Sequence, residues 1–415
     1  MIDAFYQRLA SPGRARQVLR QTTIDENGPG TILRDFDTLL AYVMEHPLQV
    51  TATGLPPLGA LQEVNARLTH PLEHGLRRPV LKSFPHLEGL YLLLRASGLT
   101  YIDTAGRKPV LAVDEQALQS WQRLNPTERY GNLLEAWVLH GRPEIIGERG
   151  PRYYRIPDHF REALYFLAKV SEDGLQVAGD PGVEDTMLRY YPGAYNVALL
   201  ELFAIVDVQH AAPEPGKGWR IECIARTPFG WALFSLLQAQ FFGDLSNIFE
   251  LDKPGEVPFG VFQPILQPAL PEWRNNLTIP PWAFREGAHI FKVSLGRIWR
   301  RIAIPAQAPL DSLASAILNA FDFDYDHLYG FVYTDRSGAE ERVVHPAMDE
   351  GPYTDEVRVG DLPLRIGQTM TYVYDLGDWW TFTVALEQVD PAMDMRTPKK
   401  LASHGEAPQQ YPDWE

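Results

Sequence analysis

Apolar residues recur at helical spacing through the first two thirds of the chain and change to strand-like runs in the last third. Phe36, Leu39, Leu40 and Val43 fall at i, i+3, i+4 and i+7, one apolar face of a helix that Pro47 ends. Pro56 and Pro57 open a second helix that turns Leu58, Leu61, Val64 and Leu68 inward. Leu87, Leu90, Tyr91 and Leu94 mark a third, stopped near Ser97-Gly98. Two short apolar runs follow, Leu99–Ile102 and Val110–Val113, with Thr104-Ala105-Gly106-Arg107 as a hairpin-type turn. Asp114 is placed to cap the next helix. A similar order returns later. Tyr195–Ala204 reads as a helix, and Ile205–Val208 and Trp219–Ile224 as strands joined by a Pro/Gly-rich loop from Ala211 to Gly218. Thr227-Pro228 then opens another helix, with threonine as the cap and proline where its missing N–H costs nothing.

Helix, strand, turn, strand, helix is the order of a winged helix. Residues 1–250 are therefore expected to form a mostly helical region with two winged-helix-like units, at about 80–145 and 190–245. The competing reading is a plain helical domain with two incidental hairpins. Between them, Thr127–Leu139 places Tyr130, Leu133, Leu134, Trp137 and Val138 on one face, and Phe160, Leu164 and Leu167 mark another helix.

Proline density rises over 251–285, where Pro254, Pro258, Pro264, Pro268, Pro271, Pro280 and Pro281 block helix and central strand alike. This predicts an extended linker, with Phe259, Phe262, Trp273 and Trp282 packing it on a domain surface. Beyond it, His289–Leu295 and Trp299–Ile304 read as strands, Asp311–Phe321 as a helix and His327–Tyr333 as a strand. A polar loop spans Asp335–Pro352. Thr369–Tyr374 and Trp380–Val389 are strands about a turn at Asp375–Asp378. The order predicts an α+β fold in which residues 286–415 form a β-grasp-like domain, one helix covering a mixed sheet.

Within that span run Ile298-Trp299-Arg300-Arg301, His327-Leu328, and Tyr372-Val373-Tyr374-Asp375-Leu376-Gly377-Asp378-Trp379-Trp380, closed by Ala407-Pro408-Gln409-Gln410-Tyr411-Pro412-Asp413. Motifs in this order resemble the plasmid pRiA4b ORF-3-like family. The resemblance covers roughly 288–413 and implies a mobile-element passenger protein with no settled activity. This sequence departs from the family pattern at three positions. Tyr329 follows His327-Leu328 where the family often has histidine, Leu376 replaces a phenylalanine, and Phe382 stands where another histidine is usual.

Charge narrows the reading. The chain carries −15, and residues 286–415 hold 21 acids against 11 bases, so −10 sits on the last third. Nucleic-acid binding, which draws on neutralised phosphates, is expected to be weak or absent there. The single cysteine, Cys223, excludes an intrachain disulfide and a Cys-rich zinc site, which fits a cytoplasmic protein. The N-terminus does not read as a signal peptide, and no apolar run is long enough for a membrane span.

Candidate chemistry is sparse. Asp375 and Asp378, three apart, could share a proton or a cation. The simpler expectation is that they accept backbone N–H groups across the turn while Gly377 takes a positive φ. His327 has no second histidine or cysteine at ligand spacing and is expected to be structural. Arg300 and Arg301 alternate faces on their strand, so one is expected to turn inward against Asp375 or Asp378. Trp299, Arg300, Arg301, His327, Tyr374, Asp375, Asp378 and Trp380 are the candidate binding residues. No catalytic residue, metal ligand or cofactor is assigned. Asp322, Asp324 and Asp326 lack the rest of an EF-hand loop, and His70, Glu73, His74 and His86 have the wrong order for a zinc helix. The resulting expectation is a non-catalytic module for a protein or peptide partner. The alternatives are a hydrolase of phosphate or ester bonds using the Asp/His group, and a DNA-binding regulator using the winged helices.

Overall fold

The computed structural model describes residues 9–46, 48–51, 53–103, 108–148, 158–178, 182, 187–188, 192–242, 257–279, 282–335, 340–349 and 351–411. Pro47, the turn at 104–107, Pro254, Pro280, Pro281, Pro412 and Asp413 lie outside them, as does the side chain of Phe160. The chain divides into two compact units. One is Met1–Tyr101 with Val110–Ile279, and the other is Ile102–Pro109 with Pro280–Glu415. No helix among the described residues is long and apolar enough to cross a membrane.

The first unit starts with α1 (Pro12–Arg20) and then runs α2 (Ile32–Glu45), β1 (Leu48–Gln49), α3 (Leu58–Asn65), α4 (Pro85–Ala96), β2 (Thr100–Asp103, of which Ile102 and Asp103 count with the second unit) and β3 (Val110–Val113). The three strands lie in the order β1-β3-β2. Next come α5 (Glu115–Gln122), capped by Asp114 through the Ala117 N–H at 3.0 Å, and α6 (Pro126–Val138). The pattern then repeats as α7 (Asp158–Lys169), β4 (Leu175–Gln176), α8 (Ala194–Leu202), β5 (Val206–His210) and β6 (Ile221–Arg226). Here the strand order is β4-β6-β5, so in both repeats the third strand pairs between the other two. Thr227 caps α9 (Pro228–Leu237) through the Gly230 N–H at 2.9 Å.

The helical periodicity identifies real core faces: Phe36, Leu39, Leu40, Val43, Leu61, Val64, Leu164 and Leu167 are buried. Leu58 is not among them; at the first position of α3 it is exposed. α4 departs further, because every one of its residues is buried rather than one face.

The expected linker is a correction. Within it, α10 (Gln263–Leu266) and the rest of residues 257–279 belong to the first unit, and Phe262 and Trp273 are wholly buried. Proline leaves such a segment without ladder partners, so its N–H groups need other acceptors. α6 supplies them from one stripe. Glu135 accepts from Gly260 and Phe262 at 2.5 and 2.6 Å. Glu128 accepts from Arg274 and Asn275 at 3.1 and 2.7 Å, and Asn132 accepts from Leu277 at 2.8 Å.

The second unit is one seven-stranded sheet with a single long helix. Its elements are β7 (Ala288–Leu295), β8 (Ile298–Pro305), α11 (Leu310–Phe321), β9 (Tyr329–Thr334), β10 (Glu340–Val344), β11 (Thr369–Tyr374), β12 (Trp380–Asp390) and β13 (Lys399–His404). The order is β10-β9-β11-β12-β7-β8-β13, and every neighbouring pair is antiparallel. The sheet is therefore not mixed as expected. Its core joins Phe291, Ile302, Phe331, Tyr372, Phe382 and Val384 to Leu313, Ile317 and Phe321 of α11.

Candidate functional site

Three motifs far apart in sequence meet at one end of this sheet. β11 ends in Tyr374, the turn begins at Asp375, β9 is preceded by Asp326-His327-Leu328, and Gln410-Tyr411 come from the last described residues. The Asp375 N–H donates to the Leu328 carbonyl at 3.0 Å, which ties the turn to the loop before β9. Asp375 is buried; its Oδ1 accepts the Gly377 N–H at 2.8 Å, and its Oδ2 lies 3.5 Å from His327 Nε2. His327 Nε2 is also 3.0 Å from the Tyr411 hydroxyl, which donates to Asp326 Oδ2 at 2.7 Å. The Tyr374 hydroxyl lies 2.9 Å from Asp326 Oδ1 and 2.5 Å from the Asp324 carbonyl, and it accepts the Asp326 N–H at 3.2 Å. Gln410 accepts the Asp324 N–H at 2.6 Å and donates to Tyr411 at 2.8 Å. Tyr411, helped by Tyr374 and His327, holds the Asp326 carboxyl below its ordinary range despite some desolvation.

The turn itself is built differently from the expectation. Positive φ falls on Asp375 (57°) and Trp379 (54°), not on Gly377. Aspartate tolerates that region because its short side chain bonds locally, as Asp375 does to Gly377. Tryptophan has no such compensation. Trp379 is 56% exposed and Leu376 is 41% exposed, while Trp380 is half-buried, edge-on to Phe323 at 5.0 Å. Asp378 is exposed, so the two acids do not form a pair.

Neither arginine reaches this turn. Arg300 faces the core, as alternation predicts for one of the two, but its partners are carbonyls. It donates to Ala320, Trp299, His404 and Gly405 at 2.8 to 3.1 Å and lies over the Phe321 ring. Ala320 is in the last turn of α11, where carbonyls lack helix partners and a cation is favoured. Arg301 is on the other face and grips Glu387 with two bonds at 2.6 and 3.1 Å. Glu387 falls at a bulge in β12, between Leu386 and Gln388. Trp299 stacks on His404 at 5.8 Å, beneath Arg301 and Lys292. The eight candidates thus split: His327, Tyr374 and Asp375 share one network, Asp378 and Trp380 flank it, and Trp299, Arg300 and Arg301 serve the β7–β8 side. Asp326, Gln410 and Tyr411 complete the network, and only the closing motif hinted at the last two.

A second group lies in the first unit and was not expected. His86 of α4, Glu201 of α8 and His210 at the end of β5 have ligand atoms all within 4.8 Å of one another. His86 Nε2 is 2.7 Å from Glu201 Oε2, and His210 Nε2 is 2.8 Å from Glu201 Oε1. Burial opposes ionisation of Glu201, but hydrogen bonds and charge from His210 and His86 outweigh it and hold the carboxyl at about 2. Trp219 meets both imidazoles edge-on, at 4.9 and 5.6 Å. His70 and His74, the sequence neighbours of His86, are not part of the group.

No curated protein matches the chain. Among solved structures, a protein of unknown function from Methanosarcina mazei Go1 is similar at 24% identity, over 30% of this chain and 74% of that one, with a TM-score of 0.28. The C-terminal third of the chain, residues 290–411, matches the family described as plasmid pRiA4b ORF-3-like protein, the family its motifs resemble.

Proposed function

We propose that the chain is a non-catalytic interaction protein whose C-terminal unit takes a short basic, apolar protein segment beside the His327–Asp375–Tyr411 network. Trp379 carries this reading. A bulky residue at positive φ is strained, and this one stays more than half exposed. On the loops that the network fastens together, Tyr325, Leu328, Leu376 and Tyr411 are also exposed. Exposed apolar side chains on fixed loops suit protein recognition. The acids Asp322, Asp324, Asp326 and Asp378 beside them favour a cationic partner. The network's carboxylates already accept hydroxyl and backbone donors, which supports a structural rather than hydrolytic role for them.

The two helix–hairpin repeats of the first unit are read as winged-helix-like. In each, the helix before the hairpin, α4 or α8, would be the one offered to a DNA groove. α4 is buried throughout, and a side chain at Gly89 would strike Leu199 of α8. This favours protein architecture over DNA binding. The second unit is β-grasp-like only in laying one helix on a sheet. Residence in the cytoplasm and an association with mobile elements complete the proposal.

The test is peptide display against the purified full chain, followed by titration of enriched peptides. Enrichment of Lys/Arg-containing apolar segments is expected, with Trp379→Gly weakening them about tenfold or more. The same variant should melt no lower than wild type, because it relieves strain. No enrichment, or unchanged binding by Trp379→Gly, would sink the proposal.

A further inference from the structure

We propose that His86, Glu201 and His210 form a binding site for a divalent first-row transition ion, zinc being the working case. Two imidazoles and one carboxylate are a recognised three-ligand set for zinc, with a further position left for water. The fold delivers them from three elements. His86 is at the start of α4, Glu201 in the last turn of α8, and His210 where β5 shifts register against β6. Such irregularities re-aim side chains, and here the result is that both Nε2 atoms face one carboxylate.

The group also has an inside and an outside. His86 is buried, Glu201 is partly covered, and His210 keeps 33% of its side chain exposed. An ion would enter from the His210 side and keep its water there. Trp219 fixes both ring planes, and the two rings lie 5.8 Å apart at 27°. The rings therefore need little ordering to bind. Ligand atoms around one ion with bonds of roughly 2.0–2.1 Å sit about 3 Å apart or slightly more. The two imidazole–carboxylate separations of 2.7 and 2.8 Å require an opening of only a few tenths of an ångström, and the two Nε2 atoms start within 4.8 Å of each other. The two Nε2 protons that now point at Glu201 must leave, by moving to Nδ1 or to water.

One feature limits the affinity. His86 Nδ1 is buried with no hydrogen-bond partner, whereas a ligating histidine ordinarily donates its second N–H to a neighbour. Loss of that partner weakens metal sites about 10–100-fold. Micromolar rather than nanomolar binding is expected. A bound ion would join α4 and α8, the helices that precede the two hairpins, and so act as a clasp within the first unit.

Full-length protein, stripped with a chelator and dialysed, should be titrated with zinc chloride by calorimetry. About one equivalent is expected to bind in the micromolar range, and zinc should raise the melting temperature. Cobalt(II) should give visible absorption bands of a low-coordinate site. His210→Ala, at a partly exposed position that should still fold, is expected to weaken zinc at least tenfold and remove both signals. Glu201→Gln should do the same, and His74→Ala should change nothing. Absence of saturable binding, or binding that survives His210→Ala, would overturn the site.

Discussion

At the scale of single residues, Asp375 and Asp378 should separate cleanly. Asp375 is buried, sits at positive φ and holds the Gly377 N–H. Asp375→Ala removes that bond and puts alanine in a region it disfavours, so a loss of about 1–3 kcal/mol is expected. Asp375→Asn keeps an acceptor and tolerates the same φ, and should lose less. Asp378→Ala, at an exposed position, should stay within about 0.5 kcal/mol of wild type. Urea midpoints of the three variants check this; equal losses at both positions would mean that the turn is held some other way. Glu88 offers a test by pH. Burial, reinforced by Glu148 and opposed by Lys82, pushes its carboxyl from 4.5 up to about 8. The folded state then keeps a proton that the unfolded chain releases near 4.5. Stability falls as pH rises from about 4.5 to 8, by on the order of a few kcal/mol, and the loss is complete above that window. Glu88→Gln should make the wild-type slope between pH 5 and 8 shallower, measured as urea midpoints, with Glu135, pushed up to about 8 by its own burial, supplying a further part; an unchanged slope would remove Glu88 as a source. Motif reading found His327, Tyr374 and Asp375 because they lie in recognisable runs. It set Asp326 aside with Asp322 and Asp324 because the rest of an EF-hand loop is absent. It placed positive φ on Gly377 because only glycine takes that conformation without cost, whereas local bonding lets Asp375 take it.

At the scale of elements, periodicity works where one face is buried and fails where none or both are. The two strands of the large sheet that went unread, β10 and β13, are its two edges. Their sequences, Glu340–Val344 and Lys399–His404, are charged and mostly exposed, as edges must be to avoid pairing with other chains. The proline-rich segment failed for the opposite reason. Its composition excludes regular structure but says nothing about burial, and the acceptors that bury it sit on α6, more than a hundred residues earlier. Glu128, Asn132 and Glu135 follow helical spacing, yet a polar stripe on a helix ordinarily faces water. The consequence is testable. Glu135→Ala strands the Gly260 and Phe262 N–H groups, and a cost of about 2–4 kcal/mol is expected from two buried donors and the lost packing. Proteolysis should then begin within 257–279, which wild type protects. If the variant melts like wild type, the strap is held by Phe262 and Trp273 alone.

At the scale of the molecule, the division into units rests on where each core closes. The large sheet and α11 close on a core of their own: every member of it, from Phe291 to Leu386, lies beyond residue 280. The change from helical to strand periodicity made this division visible in the sequence, because the two patterns cannot share one face. The number of strands and their all-antiparallel order were not visible, since hairpins and edges carry little apolar signal. A chain of residues 280–415 is therefore expected to fold alone. It is long enough to bury a substantial core, and it brings its own helix cap through Arg300 and its own loop network through Tyr411. It should unfold in urea in one cooperative step, retain near-ultraviolet dichroism from Tyr372, Tyr374 and Trp380, and bind the same peptides as the full chain. Arg300→Ala should break it. That change removes donors from four carbonyls that tie β8, α11 and β13 together, so the midpoint should fall by more than for Arg301→Ala, whose pair with Glu387 is partly exposed. A fragment that shows no cooperative transition, or one in which the two arginine variants are equally stable, would show that this unit depends on the rest of the chain or that Arg300 is not its pin.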